Sequence, residues 1–358
     1  MEEKIRTRIL RAIKEKVFPG CVVGVVRKSG EVLVLPFGQF TYEADLPKIK
    51  EDTIFDVASI TKSIPTACLA LKLIDEGKLK LEERLIDFIP EFKGNYREEI
   101  KIKHLLTLTL EFKLNNLSSY KNEPAKKILE RILTADLKKP PGEGFLYANS
   151  ASILLGSVIE KITKEKLDEL AVDSFFEPLK MDRTIFWPLK KFDKNDIVPT
   201  ENDGWRGGDI QGEVHDESAY VFMKAGRTVG SAGLFSTVPD LLKFLEMLLN
   251  EGALDGHQYF SPKMVHSMHS NQLGSLDQYH GLGWELYQPH YMGQYCTEET
   301  FGKTGFTGCV VMCDVSYGVG MVMLSNTTYP KRKPRQEHIN SINEVRRDIA
   351  DIIFRPRS

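Results

Sequence analysis

The sequence predicts an α/β (α+β) fold: an antiparallel sheet built from the N- and C-terminal segments, flanked by helices, beside an all-helical lobe. Three observations carry this. Short apolar runs lie toward the two ends, at Cys21 to Val26, Gly308 to Val315 and Val319 to Leu324, and read as strands, the last two covered on both faces. The stretch from about 80 to 230 instead alternates helical patterns with polar loops. Helical patterns also open and close the chain, at Ile5 to Val17 and Ser341 to Phe354. Bringing both ends into one sheet, with helices on its faces and a helical lobe beside it, is the simplest packing that buries these surfaces. The expected organisation is a single domain over 1–358, with an α/β lobe at about 1–58 and 231–358 and a mainly helical lobe at about 59–230.

Taken in order, Ile5, Ile9, Leu10, Ile13 and Val17 recur at helical spacing, and Pro19-Gly20 ends that helix. The valine-rich run Cys21 to Val26 and the run Glu31 to Phe37 flank Lys28-Ser29-Gly30, a turn signal, and so predict a hairpin. A second helix is expected from Ser59 through Gly77, with a slight kink at Pro65, which lacks a backbone donor and crowds the turn before it. Ile100 to Leu110, Lys126 to Leu133 and Ala151 to Ile162 are helical, the last with Asn149 or Ser150 as its N-cap. Pro188 to Gly230 is long, glycine-rich and weakly periodic, and is expected to be irregular and to border the site. Leu241 to Leu249 is helical, and Gly281 to Leu286 is a further strand before the two apolar ones.

Composition excludes several classes. The chain has 358 residues, of which 42% are hydrophobic, enough for a large core. A net charge of -2 gives no field that would favour nucleic acid or an anionic membrane. No stretch approaches ~18 uncharged apolar residues, so no membrane span is expected. The opening Met1-Glu2-Glu3-Lys4 lacks the pattern of an export signal. Five cysteines at irregular spacing suit free buried thiols in a reducing compartment, and the chain reads as cytoplasmic.

The chemistry concentrates in three motifs. Ser59-Ile60-Thr61-Lys62 supplies a hydroxyl nucleophile and a lysine on the same helical face. Tyr147-Ala148-Asn149 follows the constrained Pro140-Pro141-Gly142 loop, and Gly302-Lys303-Thr304-Gly305 places a cation on a glycine-bearing strand. Ser-x-x-Lys recurs at Ser118 and Tyr-x-Asn at Tyr120, so specificity lies in the order and spacing of all three. Lys62 either takes the Ser59 proton itself or stays charged and holds Tyr147 as phenolate. Lys303 can hold a substrate carboxylate or tune Tyr147, and Gly305 lets substrate approach the backbone.

This ordered set resembles the serine β-lactamase and penicillin-binding-protein superfamily, in its class C and family VIII esterase branches. Glu76-Gly77-Lys78-Leu79, Pro178-Leu179-Lys180-Met181 and Ser231 to Thr237 are similar to the family as well, and Gly212 to Asp216 resembles an esterase-like subgroup. One stretch departs: where the family often carries His-Thr-Ser-Gly, this chain reads Leu108-Thr109-Leu110-Glu111. The resemblance implies a β-lactamase/transpeptidase-like fold and an acyl-enzyme on Ser59. It makes Tyr147 a proton shuttle, lets Asn149 orient Lys62 or the acyl group, and pairs the N–H of Phe306 with that of Ser59 as an oxyanion hole. Thr304 lies with Lys303 and Gly305 on the substrate-binding strand.

The expected activity is therefore that of a serine hydrolase, a carboxylesterase on small esters, needing no cofactor and no metal. A D-amino-acid peptidase or amidase, or a β-lactamase, is the alternative that Lys303 keeps open. A non-catalytic ligand-binding or assembly protein is the alternative of another class. The expected partner is a small ester or amide, not nucleic acid or membrane, and the sequence leaves the oligomeric state open. His215-Asp216 is expected to anchor a loop, Lys331 to Arg335 to be a solvated basic loop, and Cys309 to be a buried thiol.

Overall fold

The structure is a computed structural model that describes residues 1–43, 47–274, 276 and 278–355. The apolar runs near both ends form one six-stranded sheet. In chain order its strands are β1 (Gly20–Arg27), β2 (Val32–Gly38), β3 (Glu285–Leu286), β4 (Thr300–Thr304), β5 (Val310–Asp314) and β6 (Val319–Ser325). They lie side by side as β2–β1–β6–β5–β4–β3, each neighbouring pair antiparallel. Cys21 stands opposite Ser325 and Arg27 opposite Val319, so the first strand closes onto the last.

Strict alternation explains why these runs are almost wholly apolar. Cys21, Val23, Val25, Val310, Met312, Met321 and Met323 face one side, packing on Ile5 and Ile9 of the N-terminal helix (Glu2–Lys14) and on Ile342, Val345 and Ile349 of the C-terminal helix (Arg335–Ile353). Val22, Val26, Val311, Cys313, Val322 and Leu324 face the other side, toward the Val238–Leu249 helix. Successive strand residues point to opposite faces, and here both faces are dry. The second face continues into the helical region, joining Leu69, Leu106, Ile153 and Phe175 in one buried cluster. All five cysteines are buried and unpaired. Among the described residues no helix is long and apolar enough to cross a membrane.

Several sequence expectations need correction. The helix expected from Ser59 is broken rather than slightly kinked. Ala58–Lys62 is a 3-10 turn, Ile64 leaves helical geometry (φ -112, ψ 111), and regular helix begins only at Cys68–Asp75. The residue before a proline is pushed toward extended backbone, and Pro65 does this to Ile64. Ile100 to Leu110 yields only Ile102–Leu106, and Gly281 to Leu286 only the two residues of β3. The Asn149–Thr163 helix is preceded by Ala148, so neither Asn149 nor Ser150 caps it. Pro188 to Gly230 is more ordered than expected, holding a small hairpin (Glu201–Asp203 with Gly208–Ile210) and the Glu217–Lys224 helix.

The Val238–Leu249 helix crosses β1 at Gly24, where an added Cβ would collide with Val238 and come within 2.8 Å of Leu242. Overpacking a core in this way costs about 1–3 kcal/mol. A Gly24→Val variant should therefore lose about that much stability in a urea melt. An unchanged midpoint would mean that the helix can move aside.

Candidate active site

The site forms where the broken helix, the sheet edge at β4 and the Tyr147 loop meet. Phe55–Asp56 pairs antiparallel with Phe235–Ser236, which fixes the chain just before Ser59. Ala58 then adopts φ 48, a left-handed conformation rare for a residue with a side chain. The Asp56 side chain supports that turn by accepting the Ala58 N–H at 2.8 Å. In a 3-10 turn residues three apart eclipse each other. Lys62 consequently lies over Ser59, its Nζ donating to Ser59 Oγ at 3.0 Å and to the Ser231 carbonyl at 2.7 Å. Lys62 is 5% exposed.

Tyr147 lies between two cations. Lys62 Nζ is 5.1 Å and Lys303 Nζ 4.5 Å from the centre of its ring. The residue is 39% exposed because its ring walls an open cavity. Burial of the phenol pushes its pKa up; Lys62, then Lys303 and Ser59, pull it down, and the net direction is down. The cavity measures about 730 Å³ and is lined by Ser59, Tyr147, Asn149, Thr304, Gly305 and Phe306 among others. Among the described residues, neither the Ser59 N–H nor the Phe306 N–H has a protein acceptor, and both flank this space.

Lys303 is not a free cation. It is 1% exposed and ion-paired at 2.5 Å with Glu285, on the neighbouring strand β3. Burial pushes Lys303 down, but Glu285 and Tyr147 outweigh it and its pKa rises. Burial pushes Glu285 up, but Lys303 and the Tyr291 hydroxyl, which donates at 2.7 Å, pull it below the usual carboxylate range. Of the two roles open to Lys303, the geometry brings it to Tyr147. Asn149 does not hold Lys62 either: its amide donates to Asp216 Oδ2 at 3.0 Å. Gly305 lines the cavity, and it is required for a further reason as well: an added Cβ would collide with the Val57 carbonyl on the neighbouring chain segment.

The phenyl ring of Phe306 sits between His215 and His338, with ring centres 6.0 and 4.4 Å away. His215 anchors its loop, as expected, through its ring bond to Glu201 at 2.8 Å and its N–H to Asp56 Oδ2 at 2.6 Å. Asp216 caps the Glu217–Lys224 helix by accepting the Ala219 N–H. The basic Lys331 to Arg335 loop is not wholly solvated: Arg332 turns inward to Glu201 and Glu217, at 2.6 and 3.0 Å. Cys309 is buried, and burial pushes its thiol up to about 11. Sequence reading missed Asp56, Glu201, Glu285, His338 and Arg346. Asp56 and Glu285 had a visible signal, each as an isolated carboxylate in an apolar run. Among the described residues no group of three or more His, Cys, Asp or Glu side chains is placed to hold a metal.

A family model described as beta-lactamase matches residues 6–344. The chain belongs to the beta-lactamase family. It is 30% identical over 334 residues to a putative D-alanyl-D-alanine carboxypeptidase of Escherichia coli (strain K12), covering 85% of this chain and 76% of that protein. It is 28% identical over 344 residues to an N-acetylmuramyl-L-alanine amidase of Bacillus subtilis (strain 168), covering 86% and 77%. Among solved structures it is similar to EstCE1, a hydrolase with promiscuous acyltransferase activity. The TM-score is 0.75 at 20% identity, covering 96% of this chain and 98% of that one, a likeness in fold. The fold is thus β-lactamase/transpeptidase-like, and the family is one of hydrolases.

Burial pushes Glu201 up, but His215 and Arg332 outweigh it and hold the carboxyl down at about 2. A depressed carboxylate contributes stability above its unfolded pKa of ~4.3, and that stability is lost as pH falls toward the folded value. Glu201→Gln should flatten the fall in stability between about pH 4.3 and pH 2, read from urea melts across that window. An unchanged acid slope would mean that the pair does not contribute.

Proposed function

We propose that this protein is a serine hydrolase that forms an acyl-enzyme on Ser59 and acts on small carboxylic esters. The observation that carries the reading is Lys62 Nζ 3.0 Å from Ser59 Oγ, beside a Tyr147 phenol drawn down by two lysines. A serine hydroxyl is a poor nucleophile until a base takes its proton. The downward shift of the phenol supports Tyr147 as the base in this reading, with Lys62 bonded to Ser59 Oγ and 5.1 Å from the centre of the Tyr147 ring.

In the acylation step Ser59 Oγ bonds to the acyl carbon as its proton passes to Tyr147. The carbonyl oxygen becomes an oxyanion facing the Ser59 and Phe306 N–H groups. The bond to the leaving oxygen then breaks, and the alkoxide takes the proton from Tyr147. Water repeats the sequence to release the acid and restore Ser59. Each oxyanion donor supplies roughly 3–4 kcal/mol in such a site.

The preference for neutral esters rests on Lys303. Its charge is neutralised by Glu285 within the strand and buried, which leaves no free cation at that position for a substrate carboxylate. The second reading, an amidase or peptidase on D-amino-acid substrates, is supported by the amidase and putative carboxypeptidase relatives at 28–30% identity.

Hydrolysis of a short-chain p-nitrophenyl ester by the protein and by Ser59→Ala tests the nucleophile. We expect turnover to fall by at least ~10³-fold in the variant. Equal rates would remove Ser59 from the mechanism. Esters left intact while D-alanyl peptides are cleaved would select the second reading, and no labelling by a serine-directed phosphonate would favour a binding role.

The pH profile tests Tyr147. Lys303→Met paired with Glu285→Gln removes one charge of each sign without leaving either buried alone. Lys303 acts on Tyr147 more strongly than Glu285 does. The phenol should therefore rise, and the ascending limb of kcat/KM should move to higher pH. A limb that stays in place would exclude Tyr147 as the titrating base.

A further inference from the structure

The C-terminal helix sends one side chain under the sheet edge. Arg346 is 4% exposed. Its Nη2 donates to two carbonyls, Gly305 O and Cys309 O, each at 2.8 Å, and its Nη1 donates to Asn343 Oδ1 at 2.8 Å. These two carbonyls bracket the turn between β4 and β5. The turn is closed by the Gly305 N–H on Cys309 O at 2.7 Å and the Gly308 N–H on Gly305 O at 3.1 Å. His338, one helical face away, donates Nε2–H to Phe306 O at 2.7 Å.

The Gly305 carbonyl and the Phe306 N–H belong to the same peptide group. A cation bonded to that carbonyl draws electron density toward the oxygen and makes the N–H a stronger donor, since hydrogen bonds in a chain polarise one another. The guanidinium is buried with three neutral oxygen partners and, among the described residues, no carboxylate bonded to it. Burying a charge without an opposite charge is unfavourable, and neutral donors would satisfy two carbonyls with less desolvation. Burial pulls the guanidinium down to about 10, which still leaves it charged at neutral pH. Burial and the Arg346 charge help hold His338 low, at about 4, so that ring is neutral there.

We propose that Arg346 is a positioning residue for the reaction: by holding the Gly305 carbonyl it aims and polarises the Phe306 N–H toward the oxyanion, with His338 fixing the following peptide. This rests on the acyl-enzyme reading above.

The test compares Arg346→Gln and Arg346→Lys with the unaltered protein, each checked for folding by circular dichroism and thermal melting. Three quantities are read: kcat and KM for a short p-nitrophenyl ester, and the inhibition constant of phenylboronic acid, which forms a tetrahedral adduct with a reactive serine. We expect Arg346→Gln to lose about 10-fold or more in kcat. KM should be little changed, and boronate affinity should fall in parallel. Arg346→Lys, which keeps the cation, should recover part of both. A folded Arg346→Gln with unaltered kcat and boronate affinity overturns the proposal, as does a Lys variant no better than Gln.

If neither variant folds, the crystal structure of the boronate adduct of the unaltered protein decides. A boronate oxygen ~2.7–3.1 Å from the Phe306 nitrogen is expected; an oxygen directed elsewhere overturns the assignment. Absence of Ser59-dependent turnover and of any boronate adduct would instead bring down the acyl-enzyme reading, and this inference with it.

Discussion

Asp56 is the residue on which the site's assembly depends. It is 1% exposed, and each of its oxygens ties in a different segment. Oδ1 accepts the Ala58 N–H at 2.8 Å and steadies the strained turn before Ser59. Oδ2 accepts the His215 N–H at 2.6 Å, and its backbone carbonyl accepts the Thr307 hydroxyl at 2.7 Å. Burial pushes its carboxyl up, while the two amides pull it down. A buried polar group left without its partners costs about 1–3 kcal/mol. Losing this carboxylate would expose two backbone amides to that cost and loosen the nucleophile from the wall beside it.

The other charges of the site follow the same economy of burial. A lysine moved out of water needs an opposite charge or good hydrogen bonds. Lys303 finds Glu285, and the pair is then close enough to act on Tyr147, with Glu285 at the cavity wall and Lys303 behind it. Lys62 finds the Ser231 carbonyl and lies near enough to Asp216 to help draw that carboxylate down. Arg346 finds only neutral oxygens. At the catalytic corner of the cavity Lys303 and Lys62 are thus already engaged, and the Ser59 hydroxyl, the Tyr147 phenol and the Ser59 and Phe306 amides face the space between them. That inventory suits a neutral carbonyl passing through an oxyanion.

The sheet was largely legible from the sequence because strand patterning is local. Alternation between two dry faces makes Cys21 to Val26 and Val319 to Leu324 apolar throughout, and such runs have few other uses. The hairpin of β1 and β2 and the terminal helices are local features too. The helix expected from Ser59 was misread at one point, Ile64, where the effect of Pro65 on its neighbour outweighed the apolar period. Asn149 was misread because the helix begins at Asn149 itself, with Ala148 at the cap position, and its amide nitrogen bonds Asp216, 67 positions away.

By itself the sequence determined the candidate groups and their order: Ser59 three residues from Lys62, then Tyr147, then the Lys303-Thr304-Gly305 strand. Spacing along a helix or a strand is a covalent property, so these needed no knowledge of the rest of the chain. Tertiary structure alone decided what each group does. Glu285 lies 18 positions from Lys303, Arg346 lies 41 from Gly305, and Asp56 lies 251 from Thr307. Charge and desolvation act through space, over a few ångströms, and only the folded chain brings such distant residues within that range.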